Sequence, residues 1–394
     1  MRYFALIFLA VSVSGRYNFF WDNFYVFKDK FIPNGPFSDE FYKNLARNNP
    51  SKNIISSPLC LEIALSMMYM GGEGRSAQQI KNALHLSWNK KEVAKKYKNL
   101  LTNLENREKV AIVHLANRIF IADYYELVPE YNQGLKDSFK AQAETIDFRS
   151  PENASLIVNK WIDQQTNGKI KDLVTSSDFS SNLTAMILNA VYFKGQWKLK
   201  FNPKHTKVAD FRISDKKRVP VQMMQVSGVF NVSYINFLET QVIELPYRNS
   251  SLRMVIFLPK KINKLPQLEQ TIAHFSKRFV PMKVDLKLPK FKIEFTADLK
   301  DILKKMGIRK VFEKTFNFAH LVDGLFKLDK VKQRGFLEVN EEGAEDAAAT
   351  VMYVLAPQSA PLEIVVNQPF AYVIRDNENI YFQGHVINPQ MTDK

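Results

Sequence analysis

The chain has 394 residues, of which 46% are hydrophobic and 24% are charged. This is ordinary globular usage, so we expect one large domain with a substantial core. The formal charge of +15 predicts attraction to polyanions, while the single cysteine, Cys60, excludes an internal disulfide and a thiolate zinc site. Cys60 lies among apolar residues and is predicted to be an inert buried thiol.

The N-terminus has the pattern of a secretory signal peptide. Residues 1–15, MRYFALIFLAVSVSG, combine the basic Arg2 with an apolar run and small residues, with cleavage expected near Ser14 or Gly15. The run is too short to span a bilayer, and no later stretch reaches the length of a membrane helix. We therefore expect a secreted, extracellular and monomeric protein with one domain over residues 16–394. Four sequons are candidate glycosylation sites: Asn153, Asn182, Asn231 and Asn249.

Two hydrophobic periods divide the chain. Residues 36–49, 59–70 and 153–168 show apolar side chains at three- and four-residue spacing, which predicts helices. Alternation at period two predicts strands over residues 110–122, 184–195, 252–259 and 283–295, and a C-terminal hairpin over residues 362–389. Helices with antiparallel sheets give an α+β class.

The residue types that catalysis would need do not come together in the sequence. Its six histidines form no His-Glu-x-x-His motif and no close pair that could bind zinc. No Gly-x-Ser-x-Gly nucleophile turn occurs. We therefore expect neither an enzyme nor a bound metal or cofactor.

The most informative segment is residues 336–350, FLEVNEEGAEDAAAT. A strand pattern containing Leu337 and Val339 runs into carboxylates, one glycine and a run of alanines that can enter a sheet. Residues 351–366 follow, in which two prolines bracket Gln358–Ser359 before the next apolar strand. The sequence thus predicts an exposed loop of about twenty residues held by a strand at each end, and loops of that length are usually functional.

This loop resembles the hinge and reactive-centre loop of the serpins, the serine protease inhibitor superfamily. Further matches follow in order along the chain, over residues 53–74, 115–120, 158–174, 188–197, 284–308 and 367–389. The resemblance implies the serpin fold, with about nine helices packed on three β-sheets and a reactive-centre loop over roughly residues 343–366.

The resemblance also implies a mechanism, suicide-substrate trapping. A serine protease attacks the loop and forms an acyl-enzyme, and the hinge then inserts as a new strand in the central sheet and distorts the protease. The expected hinge consists of Glu342, Gly343, Ala344, Glu345, Asp346, Ala347, Ala348, Ala349 and Thr350. Strand alternation places Asp346 on the set that faces the interior by the family pattern, where an unpaired carboxylate costs several kcal/mol. Slow insertion would turn an inhibitor into a substrate.

The attacked bond follows from register. Counting back from Asn367 by the family pattern gives Gln358–Ser359 as the attacked bond. The commonest family spacing from Gly343 instead places Pro357 before the bond, where proline is a poor residue. Leu355 and Tyr353 are alternatives. The residues from 344 to 366 contain no Lys or Arg, so a trypsin-like target is disfavoured and an elastase- or chymotrypsin-like protease is favoured.

Two further sites are expected. Gln333 stands where many serpins carry a histidine beneath the opening strands, and with Ser57 and Asn189 it would form the shutter region, since its amide can donate and accept. A polyanion site is suggested by Lys91, Lys95 and Lys98, which fall on one helical face. The corresponding helix binds heparin in some family members, although a solvated lysine face fits equally.

Three functions remain open at this point. The first is a secreted serpin that inhibits a serine protease. The second is a non-inhibitory serpin acting as a carrier or binding protein, which Asp346 and Gln358 favour. The third is an extracellular protein that binds sulfated glycosaminoglycans, which the net charge favours. None of them involves nucleic acid or a membrane span.

Overall fold

A computed structural model describes residues 35–105, 111–270, 272, 275, 278–313, 316–318, 320–322, 325–342 and 360–391. The expected signal peptide lies outside these residues. So do the hinge positions from Gly343 to Thr350 and the candidate bonds at Tyr353, Leu355 and Gln358–Ser359.

Eight α-helices lie in the described part of the chain, close to the nine expected. They are α1 (Gly35–Asn48), α2 (Pro58–Gly71), α3 (Gly74–Leu84), α4 (Lys90–Glu105), α5 (Pro129–Phe139), α6 (Pro151–Gln165), α7 (Leu265–Leu268) and α8 (Lys300–Lys305). The three helices predicted from periodicity are α1, α2 and α6. No helix among the described residues is long and apolar enough to cross a membrane.

Helix α2 is the buried centre of the helical layer. All its residues except Met70 are buried, so its apolar side chains need no polar face. Ser57 caps the helix, with its hydroxyl accepting a hydrogen bond from the backbone N–H of Cys60, and Pro58 occupies the first turn. At the other end the Lys90 ammonium donates to the carbonyls of Met70 and Gly72, at 3.0 and 2.9 Å.

Five strands form the central sheet, in the spatial order β10-β13-β4-β2-β3. They are β2 (Ala111–Ala122), β3 (Gln142–Ile146), β4 (Ala185–Gly195), β10 (Phe291–Asp298) and β13 (Lys330–Val339). The two neighbouring strands β13 and β4 run parallel, whereas β10 is antiparallel to β13 and β2 is antiparallel to β4.

A second sheet holds nine strands in the described residues. They are β1 (Ile54–Ser56), β5 (Lys207–Arg212), β6 (Arg218–Ile235), β7 (Thr240–Pro246), β8 (Arg253–Pro259), β9 (Val280–Pro289), β14 (Leu362–Val365), β15 (Phe370–Arg375) and β16 (Ile380–Val386). The 18-residue strand β6 pairs with β5, β7 and β9, and so joins strands that could otherwise form two sheets. A short ribbon, β11 (Phe316–Asn317) with β12 (Leu325–Phe326), is the third sheet.

The central sheet is covered on both faces, which β4 shows residue by residue. Ile187, Val191 and Phe193 belong to the main core, on the side of α2. The alternate residues Leu188 and Tyr192 belong to a smaller core that contains Val158, Trp161 and Ile162 of α6. Because both faces are buried, β4 is apolar over most of its length rather than alternating with polar residues, and Asn189 is its buried polar exception.

One buried acid stands out in this core. Glu62 of α2 is 7% exposed, and its Oε1 atom has no hydrogen-bond partner. Burial raises the pKa of Glu62 to about 8, against the opposing charge of Lys96 on α4. Glu62 in turn helps to raise the pKa of Tyr97, after burial itself. Between about pH 4.5 and 8 the folded protein therefore holds a proton on Glu62 that the unfolded chain releases.

We expect Glu62→Gln to remove a pH dependence from the free energy of unfolding. A folded-state pKa above the unfolded value gives stability that is full at low pH and is lost as pH rises through about 8. The difference in free energy of unfolding between the parent protein and Glu62→Gln should therefore change by up to about 1.4 kcal/mol per pH unit across this window. Urea unfolding from pH 5 to 8 measures it, with exposed Glu40→Gln as the control, and parallel pH profiles for parent and Glu62→Gln would contradict the assignment.

Candidate functional site

The site is built around the contact between β4 and β13. Their residues pair in parallel register from Lys330 opposite Met186 to Leu337 opposite Phe193, and the chain leaves β13 at Val339. A segment that turned back from this end would run antiparallel to both strands, because these are parallel to each other. One parallel ladder would then be replaced by two antiparallel ladders, which are slightly more stable per residue. The sheet can accept that strand only if this pair separates.

Residues 340–342, which we call the N-terminal foot of the loop, are fixed to the body of the protein by backbone contacts. The Trp197 indole N–H donates to the carbonyl of Asn340 at 2.9 Å, and its backbone N–H donates to the carbonyl of Glu342 at 3.2 Å. The Trp197 ring is held in turn by stacking on Tyr247, with 4.6 Å between ring centroids. The chain is thereby anchored just before Gly343, where the described part of the hinge ends.

Charge pairs reinforce this foot. The Glu341 carboxylate lies 2.8 Å from the Lys290 ammonium and accepts a hydrogen bond of 2.8 Å from the Thr206 hydroxyl. Burial raises the pKa of Glu341, but the hydrogen bonds from Lys290 and Thr206 outweigh it and hold the pKa below its ordinary value. Glu342, the first expected hinge residue, pairs with Lys194 at 2.7 Å, and this hydrogen bond raises the pKa of Lys194.

The C-terminal foot of the loop, residues 362–368, is fixed as firmly. Strand β14 pairs in parallel with β9, and Glu363 pairs with Lys287 at 2.9 Å. The carbonyl of Asn367 accepts from the backbone N–H of Arg212 at 2.8 Å, and the guanidinium of Arg212 donates to the Gln368 side chain. Both ends of the loop are therefore anchored in strands, as the sequence predicted.

Behind the middle of β13, Gln333 joins the sheet to α2. It is 2% exposed; its Oε1 accepts from the backbone N–H of Ser57 at 2.8 Å, and its Nε2 donates to the carbonyl of Ser57 at 3.0 Å. Asn189 lies opposite Gln333 in the register but donates instead to Oδ1 of Asn117, which also accepts from the Cys60 thiol at 3.1 Å. Of its two expected partners, the Gln333 side chain thus forms hydrogen bonds with Ser57, while Asn189 is its neighbour in the sheet register.

The sequence did not indicate Asn117, which completes this cluster on β2. Its only signal was its place within the segment at residues 115–120 that matches the family pattern, since residue type and spacing gave no reason to select it. Burial raises the pKa of the Cys60 thiol, in agreement with an inert side chain.

The segment that follows α6 is tied to β13 from the other side. Asp178 contacts Lys332 and lies 3.3 Å from Lys330, and Arg334 donates to the carbonyl of Asp172. The three basic side chains stand at alternate positions of one strand and so project from the same face. Separation of β4 from β13 must disturb these contacts too, and their distance in sequence concealed them from sequence analysis.

The comparisons decide the family. A model described as serpin (serine protease inhibitor) matches residues 33–389. The chain belongs to the serpin family. It is 42% identical over 359 residues to Serine protease inhibitor 42Dd of Drosophila melanogaster, covering 89% of this chain and 95% of that protein.

A mammalian relative and a solved structure agree. Leukocyte elastase inhibitor of Bos taurus is 33% identical over 376 residues, covering 90% of this chain and 98% of that protein. The crystal structure of Serpin48 from Tenebrio molitor aligns with a TM-score of 0.81 at 29% identity, covering 89% of this chain and 96% of that chain. The prediction of a serpin fold is confirmed, and this serpin is a member of an inhibitor family rather than an enzyme.

The remaining predicted positions of this serpin are on the surface. Lys91, Lys95 and Lys98 are exposed on α4, whose buried residues are Val93, Tyr97, Leu101 and Leu104. The asparagines of all four sequons are exposed: Asn153, Asn182, Asn231 and Asn249. Asn231 also donates to the Glu244 carboxylate at 3.2 Å. Among the described residues, no group of three His, Cys, Asp or Glu side chains could hold a metal ion.

We expect Gln333→Leu to destabilise the native form of this serpin by about 1–3 kcal/mol, the cost of a buried N–H without a partner. The orphaned group is the Ser57 N–H, because the Ser57 carbonyl still accepts from Leu61. Urea unfolding measures the effect against Gln142→Leu, which alters a half-buried glutamine on β3. Equal losses in the two variants would show that the contact between Gln333 and Ser57 has no special weight.

Proposed function

We propose that this serpin is a secreted, monomeric inhibitor of an elastase-like or chymotrypsin-like serine protease. It traps the protease by inserting its cleaved loop between β4 and β13. The observation that supports this best is the parallel pairing of those strands, with the loop leaving from the end of β13. The paired stretch of β4, residues 186–193, has eight residues, which is as many as the expected hinge contains after Glu342.

Insertion is favoured by the light hinge and by the ladder it forms. Cleavage of the loop separates the two feet. The segment after Glu342 then becomes free to fold back, while the C-terminal foot stays in β14. Alanines at 344, 347, 348 and 349 are small enough to enter the sheet without displacing the packed cores on either side. Each new backbone hydrogen bond contributes about 0.5–1.5 kcal/mol, and the ladder is the driving force.

Target preference is proposed from the loop sequence and from one relative. The loop offers Tyr353, Leu355 and Gln358 as the residue before the attacked bond, and no basic residue for a trypsin-like pocket. The bovine relative is named as an inhibitor of leukocyte elastase. Gln358–Ser359 is the proposed bond, because the C-terminal foot fixes the register from that side.

Incubation with neutrophil elastase, pancreatic elastase, chymotrypsin and trypsin tests the function. A complex that survives a denaturing gel is expected with an elastase or with chymotrypsin, and none with trypsin. Mass spectrometry of the released C-terminal peptide identifies the bond: a start at Ser359 supports Gln358, and a start at Ala356 or Val354 moves the site to Leu355 or Tyr353. Complete cleavage without any complex would favour a non-inhibitory carrier or binding protein.

Cleavage in the loop should raise the unfolding temperature by about 10 °C or more, because the cut hinge adds a strand to the central sheet. Calorimetry before and after a clean cut between Ala349 and Ala360 measures this. A hinge-blocked control, Ala348→Glu, places a charge on the interior face and should lose most of the increase. An unchanged temperature in the unmodified protein would remove the insertion mechanism.

Asp346→Ala should raise the fraction of encounters that end in a trapped complex and leave the rate of attack nearly unchanged. The reason is that a carboxylate entering the interior face slows insertion relative to acyl-enzyme hydrolysis. The stoichiometry of inhibition measures this fraction. Glu345→Ala is the matched control, since residue 345 faces the other way, and equal partition in all three proteins would place Asp346 outside the interior.

Secretion is proposed from residues 1–15, and glycosylation from the exposed position of the four sequon asparagines. N-terminal sequencing of the exported protein checks the first, with a start at Gly15 or Arg16 expected.

A second candidate function is binding of a sulfated glycosaminoglycan, supported by the exposed lysine face of α4 and the charge of +15. Heparin affinity should fall steeply with salt, because exposed charges are screened within about 8 Å at physiological ionic strength. Changing Lys91, Lys95 and Lys98 to Gln should lower the salt needed for elution from heparin. The same change at Lys160, Lys169 and Lys171 is the control, and an equal effect of both triple variants would exclude a specific α4 site.

A further inference from the structure

Strand β5 connects the two feet of the loop. Immediately before it, the Thr206 hydroxyl donates to Glu341 of the N-terminal foot. At its last residue, the Arg212 backbone N–H donates to the carbonyl of Asn367 in the C-terminal foot. A six-residue strand spans about 20 Å, which is less than the width of a protease. Any protease bound to the loop between these feet therefore meets the β5–β6 hairpin.

The turn of this hairpin carries a net positive charge, from Lys216, Lys217 and Arg218 against Asp215, on a backbone held by hydrogen bonds. Residues 214–218 are exposed, and the Ser214 hydroxyl accepts from the backbone N–H groups of Lys216 and Lys217, at 3.3 and 3.1 Å. The Ile213 N–H donates to the carbonyl of Lys217 at 2.9 Å, which closes the turn. Arg218 lies 3.6 Å from Asp210, but within the described chain Lys216 and Lys217 form no ion pair.

The outer face of the same hairpin is concave and apolar. A cavity of about 400 Å³ is lined by the apolar Val208, Pro220, Val221 and Pro389 and by Gln222 and Gln390, with Lys290 at its edge toward Glu341. The pairing of Val208 with Gln222 and of Asp210 with Pro220 places Val208 and Pro220 on one face. Val208 is 66% exposed, which is unusual for a valine in a strand and leaves the cavity open to a partner.

We propose that the β5–β6 hairpin is an exosite for the target protease, used in addition to the loop. An apolar side chain of the protease enters the cavity at Val208, and an acidic patch on the protease lies against Lys216 and Lys217. The inference rests on the proposed function, because it requires that a protease attack the loop. Charges of this kind mainly raise the association rate, and their effect weakens as salt is added.

The charge is tested with Lys216→Glu/Lys217→Glu. The control is Lys304→Glu/Lys305→Glu on α8, where Leu299, just before the helix, donates to the carbonyl of Val331 at the start of β13. Val331 lies about 26 Å along the strand from Val339 and the loop. The probes are α-chymotrypsin and succinylated α-chymotrypsin. The two share one active site, but succinylation makes the protein surface more negative. The rate of attack is the loss of intact serpin, counting cleaved and complexed forms together.

For the parent protein we expect faster attack by the succinylated enzyme at low salt. The hairpin variant should lower that rate about tenfold at 50 mM salt and by much less at 500 mM, and should not slow the native enzyme. The α8 variant should change the rates by less than about twofold. Equal effects of the two double variants would overturn the proposal.

The cavity is tested with Val208→Trp, which fills it, against Leu156→Trp at another exposed position on α6. Attack by both enzymes should slow about threefold at every salt concentration in the first variant only, and equal rates in the two variants would overturn the apolar contact. A serpin that is cleaved without trapping would contradict the proposed inhibition and leave the exosite measurable. If neither form of chymotrypsin attacks the loop, the exosite proposal for a chymotrypsin-like target is wrong, whereas a complex with an elastase would still support the proposed inhibition.

Discussion

The parallel contact between β4 and β13 is the interaction on which the rest of this serpin depends. It is the one place in the central sheet where a returning segment of the loop would meet both neighbours in antiparallel orientation. The contacts that keep it closed are distributed along β13: Lys330 and Lys332 on Asp178 at its start, Gln333 on Ser57 near its middle, and Glu342 on Lys194 of β4 beyond its end. A strand that inserts between β4 and β13 would have to break these contacts one after another.

The magnitudes explain why such a sheet can be both closed and ready to open. Partly exposed ion pairs contribute about 0–1 kcal/mol each, and the contact of Gln333 with Ser57 about 1–3 kcal/mol. An added strand of the length of the hinge would form roughly a dozen backbone hydrogen bonds at about 0.5–1.5 kcal/mol each. The closed form is held by the parallel ladder between β4 and β13 together with these weak side-chain contacts. Insertion would replace that one ladder with two antiparallel ladders, so the gain is the difference between them. In the proposed mechanism, cleavage of the loop makes those two ladders accessible.

Sequence patterns identified the elements of the fold better than the contacts between them. Apolar spacing gave α1, α2 and α6, and the strand pattern around Val339 followed by small residues marked the loop. The partners of Asn189 and Lys332 were not accessible in this way, because Asn117 and Asp178 lie 72 and 154 residues away along the chain. Only the register of the sheet and the path of the segment after α6 bring them together. Gln333 was identified from the sequence because it stands where many serpins carry a histidine.

In the proposed function, both the loop and the β5–β6 hairpin contribute to the choice of target protease. The loop sequence disfavours a trypsin-like protease because it has no basic residue, but if Gln358 precedes the attacked bond, it offers neither charge nor bulk to select among the other proteases. The proposed exosite charge at Lys216 and Lys217 would act earlier, during the approach, and would depend on the protease surface rather than on its cleft. Insertion depends on neither, since it begins only after the bond is cut. A serpin built in this way could change its target through the hairpin without altering the strands between which the loop is proposed to insert.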